Sequence, residues 1–362
     1  MIYGLLSCLL FSDKDTGFKG NTFPTKIIHE QETHTIRFGE GTSDEDGLVH
    51  FLIDLDSGQS TLLLQVHSPN YLISLEEFKT PQNTIALHWS DWYNNKRILT
   101  EAFFPESSYV TFNYPILESQ KLSAGTWEVI FAVVDENFVY QQNEPVEIYG
   151  IVSQDIETSL SIKIIYDDTT ISQDIVDLAI AKWQFIYSST NITLDIEYQH
   201  QSFEQVVYPP HMMYQELSSQ SSEDEIVIVL TDSIESDIDT LGIVGSIPGS
   251  SFSSPNSIVL ISWLGIAGID GVINTEEEIR MLAETFGHEV GHYMGLFHPV
   301  EDNFKNWDAL EDTPECSRQY TCEQQLQNNL MFPYPICNYE ECLEQDQLTD
   351  DQINTMTYYA PL

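Results

Sequence analysis

His288-Glu289-Val290-Gly291-His292-Tyr293-Met294-Gly295-Leu296-Phe297-His298 is the stretch that decides how the rest of the chain reads. At about 3.6 residues per turn, His288 and His292 stand one above the other on a single helix face. Two imidazoles so placed can close on one Zn²⁺ at about 2.0–2.1 Å each. Glu289, beside the first of them, is positioned to take a proton from water at that centre. Gly295 permits a positive φ that ends the helix sharply. The chain then doubles back, and His298 supplies a third ligand. Three protein ligands leave a fourth position for water, the arrangement of a catalytic rather than a structural zinc.

Working outward, Thr275-Glu276-Glu277-Glu278 is a capping box that opens this helix. Ile279, Leu282, Phe286, Val290 and Tyr293 form its core side. Ahead of it the chain alternates strand and helix. Ser159–Tyr166 reads as a strand, and Asp174–Tyr187 as an amphipathic helix with Ile175, Leu178, Ala179, Trp183 and Ile186 on one face. Ile192–Tyr198, Glu225–Leu230, Leu241–Ile247 and Ser257–Trp263 read as further strands. From Pro299 the sequence is irregular until Leu348–Tyr359, where Thr349 is placed as the N-cap of a closing helix.

His288-Glu289-Val290-Gly291-His292-Tyr293-Met294-Gly295-Leu296-Phe297-His298 resembles the metzincin clan of zinc metallopeptidases, and its wording is closest to the pappalysin-like branch. The resemblance covers about 200 residues, though its specific motifs occupy fewer than about twenty. It implies an α+β zinc peptidase domain over 156–362: a twisted mixed sheet, an active-site helix, and an irregular C-terminal subdomain pinned by disulfides. It implies a Met-containing turn beneath the metal, for which Asn328-Asn329-Leu330-Met331-Phe332-Pro333-Tyr334 is the candidate. Met331 would be the floor of the site. Tyr334 would be the tyrosine that approaches the metal, although it falls three residues after Met331 rather than two. Gly242, Ile243, Val244 and Gly245 would be the sheet edge that holds an extended substrate. Asp308-Ala309-Leu310-Glu311-Asp312-Thr313-Pro314 matches a DxxxDTP segment of that branch, with Asp312 as a specificity or Ca²⁺-binding residue. The function implied is a zinc-dependent endopeptidase acting on extracellular proteins, with Glu289 as general base. A zinc exopeptidase and a non-catalytic secreted adhesion or substrate-binding protein are the alternatives.

The first part of the chain reads differently. Leu48–Leu55, Thr61–Val66, Thr84–Trp89, Tyr109–Tyr114 and Trp127–Val134 are β-rich runs punctuated by Gly, Pro, Asn and Ser. No helix is expected before residue 170. An all-β sandwich over 30–155 follows, preceded at 1–29 by a signal-like leader or lipoprotein anchor. Leu5-Leu6-Ser7-Cys8 resembles a bacterial lipobox, which would make Cys8 the lipidated residue. Trp89 and Trp92 read as core or ordinary surface aromatics. No stretch is long and apolar enough for a transmembrane span.

Thirteen basic residues against 57 acidic ones give a net charge of −44. Residues 156–362 hold 5 of the basic and 35 of the acidic residues. A field of that sign excludes nucleic acid and anionic membranes as partners, and favours cations and basic peptides. Cys316, Cys322, Cys337 and Cys342 cluster within one loop-rich segment and read as two disulfides with three possible pairings, which places the protein in an oxidising, secreted or cell-surface setting. The pappalysin-like resemblance implies Cys316–Cys337 and Cys322–Cys342.

Overall fold

A computed structural model describes residues 35–153, 159–202, 217–219, 225–234, 240–250, 254, 257–337 and 341–359. The leader and Cys8 lie outside the described residues. Strands β1 (Thr35–Thr42), β2 (Leu48–Leu55), β3 (Thr61–His67), β4 (Leu72–Lys79), β5 (Ile85–His88), β7 (Tyr109–Tyr114), β8 (Gly125–Val134) and β9 (Pro145–Ser153) form two antiparallel sheets. Their orders are β1-β9-β3-β7 and β2-β8-β4-β5. The inward residues of β2 (Val49, Phe51, Ile53 and Leu55) are buried while their neighbours face outward, the period-two pattern of a half-covered sheet. Trp127 stacks on Phe78 at 4.8 Å between ring centres. Its indole N–H donates to Ser123 O at 2.8 Å, so the buried ring leaves no polar group orphaned. A short helix the sequence reading did not expect, α1 (Ser90–Asn95), and the two-residue strand β6 (Arg97–Ile98) follow β5. Trp89 and Trp92 pack against the edge of this core.

The second half is a five-stranded sheet of β10 (Ser159–Tyr166), β11 (Thr193–His200), β12 (Glu225–Thr231), β13 (Gly242–Val244) and β14 (Ile258–Ser262). Its order is β11-β10-β12-β14-β13, parallel except for the antiparallel edge strand β13. β12 is buried along its length because both faces are covered. Ile226, Ile228 and Leu230 face one core, while Val227 and Val229 face another. Two helices lie on the first face: α2 (Gln173–Ile186) and α3 (Glu276–Tyr293). Trp183 of α2 and Phe286 of α3 stack at 5.5 Å with ring planes 8° apart. The chain closes with β15 (Trp307–Asp308), α4 (Gln319–Leu326) and α5 (Asp350–Tyr359). Among the described residues no helix is long and apolar enough to cross a membrane.

The two halves are welded together. β3 has apolar side chains on both faces: Leu62, Leu64 and Val66 enter the sandwich core, whereas Leu63 enters the core under the five-stranded sheet. β6 pairs in parallel with β15, and Arg97 holds Glu315 through Nε at 2.7 Å and Nη2 at 2.6 Å. Thr355 of α5 donates to Ile116 O at 3.1 Å.

The disulfide pairing differs from the one the resemblance implied. Cys316 bonds to Cys322, and Cys337 to Cys342. The first pair spans the entry of α4, and the second faces itself across an isolated antiparallel bridge. Each therefore closes a short local loop instead of tying the two loops to each other.

Candidate metal centre

Helix α3 begins where its capping box requires. Thr275 Oγ1 accepts from Glu278 N–H at 3.2 Å, and Glu278 Oε2 accepts from Thr275 N–H at 2.9 Å. It runs eighteen residues to Tyr293, and the chain turns at Gly295, whose φ of +97° is open to glycine and strained for other residues. Gly295 N–H donates to His292 O at 2.8 Å and Leu296 N–H to Gly291 O at 3.0 Å, which fold the chain back over the helix end. His298 is thereby swung round to face the two helical histidines.

The three rings converge. His292 Nε2 lies 3.1 Å from His298 Nε2, and His298 Nε2 lies 3.3 Å from His288 Nε2. Each Nδ1 is occupied elsewhere: His288 with Leu330 O at 2.7 Å, His292 with Leu296 O at 2.6 Å, His298 with Glu301 Oε2 at 3.1 Å. All three partners are acceptors, so in the neutral rings the protons sit on Nδ1 and the Nε2 atoms are bare lone pairs. Burial, and then the neighbouring imidazoles, hold His288 down to about 3 and His292 well below the ordinary histidine range. Three lone pairs facing one another repel unless a cation lies between them. Two nitrogens of a tetrahedral zinc site about 2.05 Å from the ion stand about 3.3 Å apart. The observed spacings fit that ion, and among the described residues this is the only cluster of three or more such ligands.

Glu289 is buried directly beside this centre, where loss of water pushes its carboxyl up to about 8. β13 lies over it, and Gly242 has no room for a side chain, because a Cβ there would overlap the Glu289 carboxylate. Gly291 is equally constrained: its missing Cβ would stand 2.7 Å from Met331 Sδ. The buried Met331 is therefore tucked under the helix between the two ligand turns. Its turn is tied down from below, where Asn329 Oδ1 accepts from Met331 N–H at 2.9 Å and Asn329 Nδ2 donates to the buried Gln352 of α5 at 2.9 Å. Leu330, the residue before, supplies the carbonyl that orients His288.

A cleft of about 740 Å³ runs past the histidines between β13, α3 and the Met331 turn. Gly242, Ile243, Val244 and Gly245 line it, as does Tyr334. The Tyr334 hydroxyl, however, donates to Glu323 of α4 at 3.2 Å, and so is held by that helix. Asp312 is exposed and caps α5 instead, accepting from Asp351 N–H at 2.9 Å. Two residues singled out by no motif belong to the site: Glu301, which orients His298, and Gly291. Glu301 could have been suspected as an acid three residues past a ligand, and Gly291 as the small residue between two ligand turns.

No protein-family model matches the chain, and no curated protein does. Solved structures with partial overlap include archaemetzincin from Methanopyrus kandleri, at 11% identity over 56% of this chain and 88% of the other, with a TM-score of 0.32. A zinc-dependent peptidase from Methanocorpusculum labreanum overlaps at 11% identity over 55% and 95%, with a TM-score of 0.29. Metalloproteinase-II from Bacteroides fragilis overlaps at 14% identity over 50% and 62%, with a TM-score of 0.28.

Proposed function

We propose that the protein is a zinc-dependent metallopeptidase of metzincin type that hydrolyses internal peptide bonds of extracellular proteins. The observation that supports this most directly is the convergence of three bare Nε2 atoms, 3.1 and 3.3 Å apart, beside a buried carboxylate and under an open strand edge. His288, His292 and His298 would hold the metal, with Glu301 and the carbonyls of Leu330 and Leu296 fixing their orientation. Zinc, when bound, supplies a Lewis acid that brings the pKa of water towards about 7 and polarises the scissile carbonyl.

The chain's own residues do the rest. Glu289 takes the proton of the attacking water and passes it to the leaving amine. The edge of β13 can hold an extended backbone by main-chain hydrogen bonds, which suits any sequence. Met331 keeps the floor of the site apolar and rigid. The two disulfides fit an oxidising compartment, in keeping with secretion or display at a bacterial surface. Calcium has no comparable support, since Asp312 serves as a helix cap.

Incubating the purified protein with casein at one zinc per chain, with and without a chelator, tests the reading. Internal cleavages that vanish on chelation and return with zinc are expected. Intact casein in the presence of stoichiometric zinc would remove the assignment.

A further inference from the structure

β13 is the outer strand of its sheet and is only three residues long, Gly242–Val244. Leu241 O accepts from Ser262 N–H at 2.7 Å and Gly245 N–H donates to Ile258 O at 3.1 Å, so residues 241, 243 and 245 turn their backbone groups to β14. By alternation Gly242 and Val244 turn theirs to the open side. Gly242 rests against the Glu289 carboxylate, which fixes that end of the edge at the reacting centre. Val244 is the other end, and beyond it residues 245–248 bend out of the strand.

That bend is tied down from outside the sheet. Ile247 N–H donates to Glu101 Oε2 at 2.7 Å, and Glu101 N–H donates back to Ile247 O at 3.4 Å. Two residues on, Gly249 N–H donates to Tyr293 O at 2.9 Å, and Gly249 O accepts from the Tyr359 hydroxyl at 2.9 Å. The stretch after β13 is therefore fastened to α3, to α5 and, nearer the strand, to the sandwich half. Glu101 has a firm mounting of its own. It opens a single 3₁₀ turn, Glu101–Phe103, whose N-cap Thr100 accepts from Ala102 N–H at 3.2 Å. Ala102 and Phe103 are buried in the sandwich core. Burial first, and the charges of Glu106 and Glu301 in addition, push the Glu101 carboxyl up to about 7, against the hydrogen bond from Ile247. A neutral acceptor therefore suits the position as well as a carboxylate does.

We propose that Glu101 is a positioning residue of the cleft: through this side chain the β-sandwich sets the far end of the substrate-binding edge and keeps the Val244 backbone in line for an extended substrate. This rests on the peptidase reading above. Glu101 acts through Ile247 rather than on the substrate. The two ends of the edge then have separate duties, because Gly242 stands at the reacting centre and Val244 adds only binding. Loosening the second weakens the hold on the substrate and spares the chemical step.

Two mild substitutions separate reach from charge. Glu101→Gln keeps the length and an acceptor oxygen, whereas Glu101→Asp keeps the charge and draws the acceptor back by about 1.5 Å, out of hydrogen-bond range. Both are assayed as the full chain at one zinc per molecule on an internally quenched peptide. Glu101→Asp should raise KM about tenfold, the worth of one hydrogen bond, with kcat within about twofold of the parent and zinc content unchanged. Glu101→Gln should restore the parent KM. Deuterium exchange gives a readout independent of turnover: fragments covering 242–248 should exchange faster in Glu101→Asp than in the parent or Glu101→Gln, with α3 unaltered. An unchanged KM in Glu101→Asp, or a rise that Glu101→Gln shares, would overturn the positioning role and leave the peptidase reading standing. So would a loss confined to kcat, or exchange over 242–248 that stays at the parent rate. A parent that cleaves no peptide at one zinc per molecule would overturn both.

Discussion

Gly242 and Glu289 approach so closely that a single methyl group on residue 242 would fall on the Glu289 carboxylate. The strand edge and the proposed base can share one wall of the cleft only because one of them has no side chain. Gly242→Ala therefore has to move the carboxylate or push β13 outward. A displacement of about 1 Å at a reacting group can cost about a hundredfold in rate. We expect kcat/KM to fall by about that factor while zinc content and the far-ultraviolet spectrum stay unchanged. Full activity in Gly242→Ala would show that the edge and the base do not act together.

Glu289→Gln separates proton transfer from metal binding. The amide fills the same volume, keeps the contact with β13 and cannot take a proton. General-base groups contribute about 10²–10⁴-fold, so kcat should drop within that range with zinc stoichiometry retained. Loss of zinc along with activity, measured by atomic absorption, would make Glu289 a ligand or a structural prop instead.

Much of this site is legible in sequence because its spacing is set locally. The helix puts His288, Glu289 and His292 in place by its own geometry, Thr275 and Glu278 announce its start, and Gly295 its end. Strands such as Leu48–Leu55 are readable for the same reason, since a period of two survives wherever one face is buried. What escapes is whatever depends on distant chain. The disulfide pairing turns on which loops fold onto themselves. Asp312 looks like a cleft residue until Asp351 N–H is found beside it. That Glu101 meets Ile247 could not be read at all, because the two are 146 residues apart.

Glu301 tests how far the environment of the ligands matters. Its carboxylate accepts from His298 Nδ1 at 3.1 Å and leaves Nε2 free for metal. Partners of this kind typically change metal affinity by about 10–100-fold. Glu301→Gln should weaken zinc binding by a factor in that range in a competition titration. Because ligand held only by the folded state adds about 2.7 kcal/mol at a hundred times its Kd, the zinc-dependent rise in Tm should shrink in step. An unaltered affinity would mean that the His298–Glu301 contact is incidental.

Asp308 makes a prediction about pH that does not involve the metal. It is 3% exposed, and its Oδ1 accepts from Thr313 Oγ1 at 2.5 Å, while Oδ2 has no hydrogen-bond partner among the described residues. Burial first, and the charge of Asp312 in addition, push its carboxyl up to about 8, against the hydrogen bonds from Thr313 and Leu310 and the Arg97 charge. In the unfolded chain an aspartate titrates near about 3.9. Between those two values the folded state binds more protons than the unfolded one, so this residue's contribution to stability falls as pH rises from about 4 to about 8 and is level outside that window. Asp308→Asn keeps an acceptor for Thr313 and removes the buried charge. The variant should gain on the parent steadily across the window, with a Tm higher by about 2–4 °C at pH 8 for each kcal/mol recovered, and the two should converge near pH 4. Melting curves at one-unit intervals decide it: a difference in Tm that is the same at pH 4 and pH 8 would mean that Asp308 is not titrating in this range.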